Sequence, residues 1–180
     1  MANEFSRVDR QTLYQGKRVQ LDLLTFEDED GNRRKQEVVV HPGAVVILPI
    51  TNQGKVVMIR NRRLSIGQTL LELPAGTLEP GELLINCAGR ELLEETGYLA
   101  TKMKPLASFF TSPGILTEKM SAFIGTGLVH KGQQLDEGEQ IEVELMDYDD
   151  VIAATHDGRI FDGKTITTLL LFDRFHKGTK

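Results

Sequence analysis

Glu91 and Glu95 stand four residues apart in the stretch Arg90-Glu91-Leu92-Leu93-Glu94-Glu95-Thr96-Gly97. On a helix that spacing puts both carboxylates on one face, one turn apart. Like charges so placed oppose helix formation by roughly a few tenths of a kcal/mol, and Glu94 adds a third negative charge one step round. Hard oxygen donors gathered in this way suit Mg2+ or Mn2+, and a divalent cation would offset their repulsion. Arg90 precedes Glu94 by four and can pair with it, orienting that carboxylate from behind. The fragment alone also fits the solvated face of an amphipathic helix, so its surroundings decide.

Those surroundings place the fragment on a helix. Leu84, Cys87 or Ala88, and Leu92 recur three or four apart, which predicts a helix over Leu83 to Thr96 with Gly97 as its C-cap. Before it, Leu70 to Leu73 reads as a short strand broken by Pro74-Ala75-Gly76, and Thr77 to Glu82 as a loop. Upstream, Arg18 to Phe26 and Gln36 to Val40 form a predicted hairpin around the acidic run Glu27 to Asp30, which reads as a solvated turn. Ala44 to Pro49 is a continuous apolar run, as a buried strand requires, and Lys55 to Arg60 follows as another strand. Downstream, strands are predicted around Ala107 to Thr111, Met120 to Leu128 and Ile141 to Met146. Helices are predicted over Val151 to Thr155 and from about Gly163 to His176. Early strands and late helices imply a mixed sheet covered by helices.

Composition excludes several classes. The chain has 180 residues, 40% apolar and 26% charged, which suits one soluble domain and not a disordered tail. A net charge of −5 and a pI of about 5.4 argue against bulk attraction to nucleic acid or anionic lipid. The single Cys87 excludes an internal disulfide framework, and His41, His130, His156 and His176 have no zinc-site spacing. No signal-like start and no run of about 18 apolar residues is evident, so a cytoplasmic protein is expected.

Taken together, Gly76, Glu82, Arg90-Glu91-Leu92, Glu94-Glu95 and Gly97-Tyr98 fill every fixed position of G-x5-E-x7-R-E-U-x-E-E-x-G-U, with U an apolar residue. This stretch resembles the full box of the Nudix family, divalent-metal hydrolases of nucleoside diphosphates linked to another group. The resemblance implies an α/β fold, an α/β/α sandwich with a mixed sheet between helices and an N-terminal antiparallel strand extension. It implies that Glu91, Glu94 and Glu95 ligate Mg2+ (or Mn2+) with the Ala75 carbonyl, and that Arg90 holds the glutamates. Glu82 would serve the helix end or an outer metal shell. A pyrophosphate repels nucleophiles; cations bridging its oxygens neutralise developing charge and acidify a bound water.

The resemblance extends over roughly Gln36 to Met146 and points to the ADP-ribose pyrophosphatase and nucleoside-diphosphate-sugar branch. Leu71-Glu72-Leu73-Pro74-Ala75-Gly76 is similar to that branch's E-L-P-A-G lead-in, and Val56 to Arg63 to its V-x-x-x-R-Q-Y-R stretch, with Asn61-Arg62 in place of Gln-Tyr. Pro113-Gly114 followed by Glu118 fits its P-G-x-x-x-E pattern. Carried over, Arg60, Arg63, Glu72, Pro113 and Glu118 become substrate-binding candidates, although the arginines also suit a solvated strand end and Glu72 an edge-strand charge. In this branch the base comes from an acidic loop after the central sheet, here Leu135 to Glu142. Glu139 aligns best, Glu137 next, with metal-bound hydroxide a third choice. The implied protein is a homodimer in which residues 1–40 help dimerisation and the substrate pocket, and 41–180 form the hydrolase domain. Its substrate would be ADP-ribose or a related nucleoside diphosphate sugar. GDP-mannose, a dinucleoside polyphosphate or coenzyme A are alternatives, as is a domain that senses ADP-ribose without cleaving it. No nucleic-acid or membrane partner is expected.

Overall fold

The computed structural model describes residues 8–17, 19–135 and 138–176. The elements run β1 (Asp9–Gln15), β2 (Gln20–Glu27), β3 (Arg33–Val40), β4 (Ala44–Pro49), β5 (Lys55–Arg63), β6 (Gln68–Glu72), β7 (Ala75–Thr77), α1 (Leu84–Thr96), β8 (Tyr98–Phe110), β9 (Lys119–His130), β10 (Ile141–Asp147), α2 (Tyr148–His156) and α3 (Gly163–Phe175). The chain divides into two compact units: residues up to Gly43 with Phe110–Lys119, and Ala44–Phe109 with the remainder from Met120.

The first unit is an antiparallel sheet in the order β1-β2-β3. The register of β2 on β3 runs from Gln20 opposite Val40 to Glu27 opposite Arg33. The acidic run between them is the solvated turn its composition implies. Asp28 accepts from the backbone of Asp30 at 3.1 Å and Asn32 at 2.8 Å, and from Arg34 at 2.7 Å, while Gly31 takes φ +79°.

The second unit is organised about β4. Successive strand side chains point to opposite faces, and a strand apolar at every position must be covered on both. Ala44, Val46 and Leu48 enter one core with Val56, Met58, Leu73, Val151 and Leu169. Val45 and Ile47 enter another with Cys87, Ala88, Leu92 and Phe123. Helix α1 therefore lies on one side of β4, and α2 and α3 contribute to the core on the other. The strands form a mixed sheet β7-β4-β9-β8, with β4 parallel to β9 and antiparallel to β7, and an antiparallel sheet β10-β5-β6. This is the expected architecture of strands between helices with antiparallel strands at the N-terminus.

Two elements depart most from their predicted form. Ala75–Thr77, predicted as a break, is a strand paired to β4 through Ala75–Val46, Gly76–Val45 and Thr77–Ala44. Pro74 ends β6 because it lacks an N–H, but its carbonyl accepts from Ile47 at 2.9 Å and steers the chain onto β4. Strand β8 begins at Tyr98, well before the predicted Ala107. Lys102, Lys104 and Pro105 hide its pattern, and they are tolerated because β8 is the last strand in its sheet.

Candidate active site

Helix α1 buries Cys87, Ala88, Leu92, Glu95 and Thr96, residues that recur at helical spacing on one face. Gly97 ends it at φ +73°, with its N–H donating to Leu93 O at 2.8 Å. The same geometry that buries Leu92 carries Glu95, one turn on, into the interior, where it is 4% exposed. Its Oε2 accepts from the backbone N–H of Ala75 at 2.8 Å. Burial pushes its pKa up to about 8, and the charges of Glu91 and Glu139 push the same way. Glu91 is raised as well, chiefly by burial, with Glu94 and Glu139 adding to it and Arg90 opposing. Glu139 thus acts electrostatically on both helix carboxylates. Glu137 lies outside the described residues.

Arg90 joins the rest. Its Nε and Nη2 each donate to Glu82 at 2.9 Å, and Nη1 donates to Glu91 at 2.8 Å and to Glu94 at 3.0 Å. The predicted pairing with Glu94 is present, and Glu82 has the further part of clamping the guanidinium. That clamp holds the Glu82 carboxyl down at about 2. Beside it the Cys87 thiol is pushed up to about 12, mainly by burial, which makes it no nucleophile. Among the described residues no three His, Cys, Asp or Glu converge as a ready-made metal cage.

A second charged group lies behind the Ala75 strand. Glu72 has no accessible side-chain surface; Arg63 grips it with two hydrogen bonds (2.8 and 2.5 Å), and Lys164 Nζ donates at 2.6 Å. Lys164 also pairs with Asp162 at 2.9 Å. Asp162 is the N-cap of α3, accepting from Thr165 N at 3.0 Å and Thr165 Oγ1 at 2.6 Å. Thr165 Oγ1 in turn accepts from Leu73 N at 2.9 Å. The start of α3 therefore staples the lead-in of the strand that meets Glu95.

The remaining candidates are less enclosed. Arg60 pairs with Glu144 at 2.8 Å across β5 and β10, both partly exposed. Pro113 and Glu118 belong to the N-terminal unit, where Pro113 is exposed in a turn closed by Leu116 N to Ser112 O at 2.8 Å. Glu118 accepts from Thr111 Oγ1 at 2.6 Å and lies 3.6 Å from His41 Nδ1.

Comparison with known proteins decides the family. The model of the NUDIX domain matches residues 40–169. The chain belongs to the Nudix family. An ADP-ribose pyrophosphatase of Bacillus subtilis (strain 168) is 35% identical over 164 residues, 90% of this chain and 89% of that one. A methanol dehydrogenase activator of Bacillus methanolicus is 36% identical over 165 residues, 91% of this chain and 89% of that protein. The crystal structure of an ADP compounds hydrolase superposes with a TM-score of 0.84 at 22% identity, covering 98% of each chain, a likeness of fold.

In this Nudix hydrolase the box glycine has a definite steric task. A Cβ added at Gly76 would overlap the Glu91 carboxyl carbon and both its oxygens. Gly76→Ala should therefore expel the Glu91 carboxylate from its seat and cut turnover about a hundredfold or more, an effect of about 3 kcal/mol in the barrier. Steady-state kinetics beside a thermal melt checks this; near-normal turnover would show that the Glu91 position is immaterial.

The donor set of the Nudix helix fits a hard divalent cation. Three carboxylates and the Ala75 carbonyl all offer hard oxygen atoms, and burial, with the neighbouring carboxylates adding to it, raises the pKa of Glu91 and Glu95. Sequence reasoning missed Lys164, Asp162 and Gln133. Lys164 carried one signal: a cation in the first turn of a helix opposes the helix dipole, so its charge must be used elsewhere.

Proposed function

We propose that this Nudix hydrolase cleaves the diphosphate of ADP-ribose or a related nucleoside diphosphate sugar, releasing a nucleoside monophosphate and a sugar phosphate. The observation that carries the reading is the buried Glu95 carboxylate held by Ala75 N–H, with the partly buried Glu91 one turn before it and Glu139 acting on both. Glu91, Glu94, Glu95 and the Ala75 carbonyl would hold Mg2+ or Mn2+, which when bound neutralises charge on the diphosphate and acidifies a water. Arg90 orients the carboxylates; Glu139 takes the proton of the attacking water, with Glu137 the next candidate in that loop. One P–O bond forms from water as the bridging P–O bond breaks, and the leaving phosphate takes up a proton.

Arg63 and Arg60 are suited to phosphate or ribose contacts, because each keeps solvent-facing surface beside its carboxylate partner. Glu72 acts through the cations it holds, and Pro113 and Glu118 serve substrate recognition. The preference for a nucleoside diphosphate sugar draws on the relative from Bacillus subtilis. Strand β1 is exposed along its length at a sheet edge, which supports the N-terminal extension as the part that forms a homodimer. Among the described residues no helix is long and apolar enough to cross a membrane.

The test is a panel of ADP-ribose, GDP-mannose, a dinucleoside polyphosphate and coenzyme A with Mg2+, read by product identity and by incorporation of 18O from water. ADP-ribose is expected to give AMP and ribose 5-phosphate as the fastest reaction. Tight binding of ADP-ribose with no product would mean a sensing domain, and faster cleavage of another member would move the substrate assignment there.

A further inference from the structure

The last carbonyls of a helix lack partners within it, and α1 finds them in the segment leading to the acidic loop. Lys131 N donates to Gly97 O at 2.7 Å and Gly132 N at 3.2 Å, while Gln134 N donates to Glu94 O at 3.0 Å. The approach is backbone on backbone: a Cβ at Gly97 would lie 2.7 Å from both Gly132 C and Gln133 N. Within this seam one side chain makes a bond of another kind. Gln133 Nε2 donates to Glu95 O at 2.7 Å and to Ile141 O at 3.4 Å.

These two acceptors belong to different elements. Glu95 is on the helix of the carboxylates, and Ile141 is the first residue of β10, two positions after Glu139. On the other side, Arg62 holds Gln140, N to O at 3.4 Å and Nη1 to Oε1 at 3.2 Å. A primary amide suits the joint because one nitrogen carries two N–H donors, and donors are favoured at the negative end of a helix.

We propose that Gln133 is a positioning residue, its amide tying the Glu95 carbonyl to the Ile141 carbonyl and so fixing the backbone that carries Glu139 relative to α1. The inference rests on the reading of Glu139 as the group that takes the proton from water. Gln133→Met keeps the volume and removes the donors; Gln133→Lys restores donors on a longer stem. The Met variant should lose about tenfold to a hundredfold in kcat with KM within about twofold, and the Lys variant should recover most of that loss. Glu139→Gln alone should lose about a hundredfold or more. The double variant should be no slower than Glu139→Gln, because a residue that acts through another adds nothing once that one is gone.

Amide hydrogen exchange supplies a readout apart from turnover. In metal-free Gln133→Met the Gln134 amide should exchange faster while amides in the middle of α1 keep their protection. If Glu139→Gln is slow and Gln133→Met is not, the positioning role is wrong and the base reading stands. If Glu139→Gln loses only a few fold, both fall together. Multiplicative losses in the double variant, or a Lys variant as slow as the Met variant, would also overturn the proposal.

Discussion

Glu95→Gln is expected to lose about a thousandfold in turnover with Mg2+ present and, without metal, to become more stable than the wild type at high pH. The first effect follows from removing one anionic oxygen donor from the set proposed to hold the cation, and a thousandfold corresponds to about 4 kcal/mol in the barrier. The second follows from where the carboxyl sits. Its pKa in the folded protein is raised to about 8 from an ordinary 4.5, mainly by burial. A raised carboxyl pKa means the folded state prefers the protonated form. That preference is fully present below pH of about 4.5 and is lost as pH rises through about 8. The metal-free wild type should therefore melt at progressively lower temperature across that window, and the neutral glutamine should remove the part of this slope due to Glu95, leaving that of Glu91.

Mg2+ is expected to reverse the trend in the wild type alone, because it stabilises the ionised carboxylates and binds the folded state only. Melting curves of chelator-treated wild type and variant from about pH 5 to 9, with and without Mg2+, read all of this at once. A wild-type midpoint that rises relative to the variant through the window would contradict the account of Glu95. So would a variant that still turns over within a few fold of wild type.

The second large effect is expected at Glu72. Glu72→Gln keeps the shape of the side chain but takes from Lys164, whose side chain is 12% exposed, one of two carboxylate partners, leaving Asp162 at 2.9 Å. Removing one partner of a buried ion pair costs about 3–5 kcal/mol when the other charge is left uncompensated, and with Asp162 still beside Lys164 the expected cost is about 2–3 kcal/mol. For a chain of this size that is a fall of roughly 4–12 °C in the melting midpoint. Arg63 is 37% exposed and can turn toward water, so Lys164 carries most of the penalty. The double replacement Glu72→Leu with Lys164→Met removes both charges and should regain part of the loss. Turnover should fall in Glu72→Gln as well, since Thr165 and Lys164 staple the strand whose Ala75 N–H meets Glu95. A midpoint within about one degree of wild type would show that the cluster is solvated and contributes nothing.

Much of this protein was legible in its amino acids because the information was local. The apolar run Ala44 to Pro49 required cover on both faces, and β4 has it. The spacing of Cys87, Ala88 and Leu92 with Gly97 behind them defined α1 and its cap, and that periodicity placed Arg90 beside Glu94. The same local pattern, matched to the Nudix box, named the helix carboxylates. What local spacing does not contain is which distant segments meet. Glu72 pairs with Lys164 ninety-two positions away, and Gln133 reaches back thirty-eight to Glu95. Ala75–Thr77 is a strand only because β4 presents an edge to it. The burial that raises Glu95 is likewise a property of the packed interior, where removal of water, and not the residue type, sets the cost of a charge. Chemistry confined to one helical turn could be read from order alone, whereas the partners that hold that turn in place exist only once the chain has closed on itself.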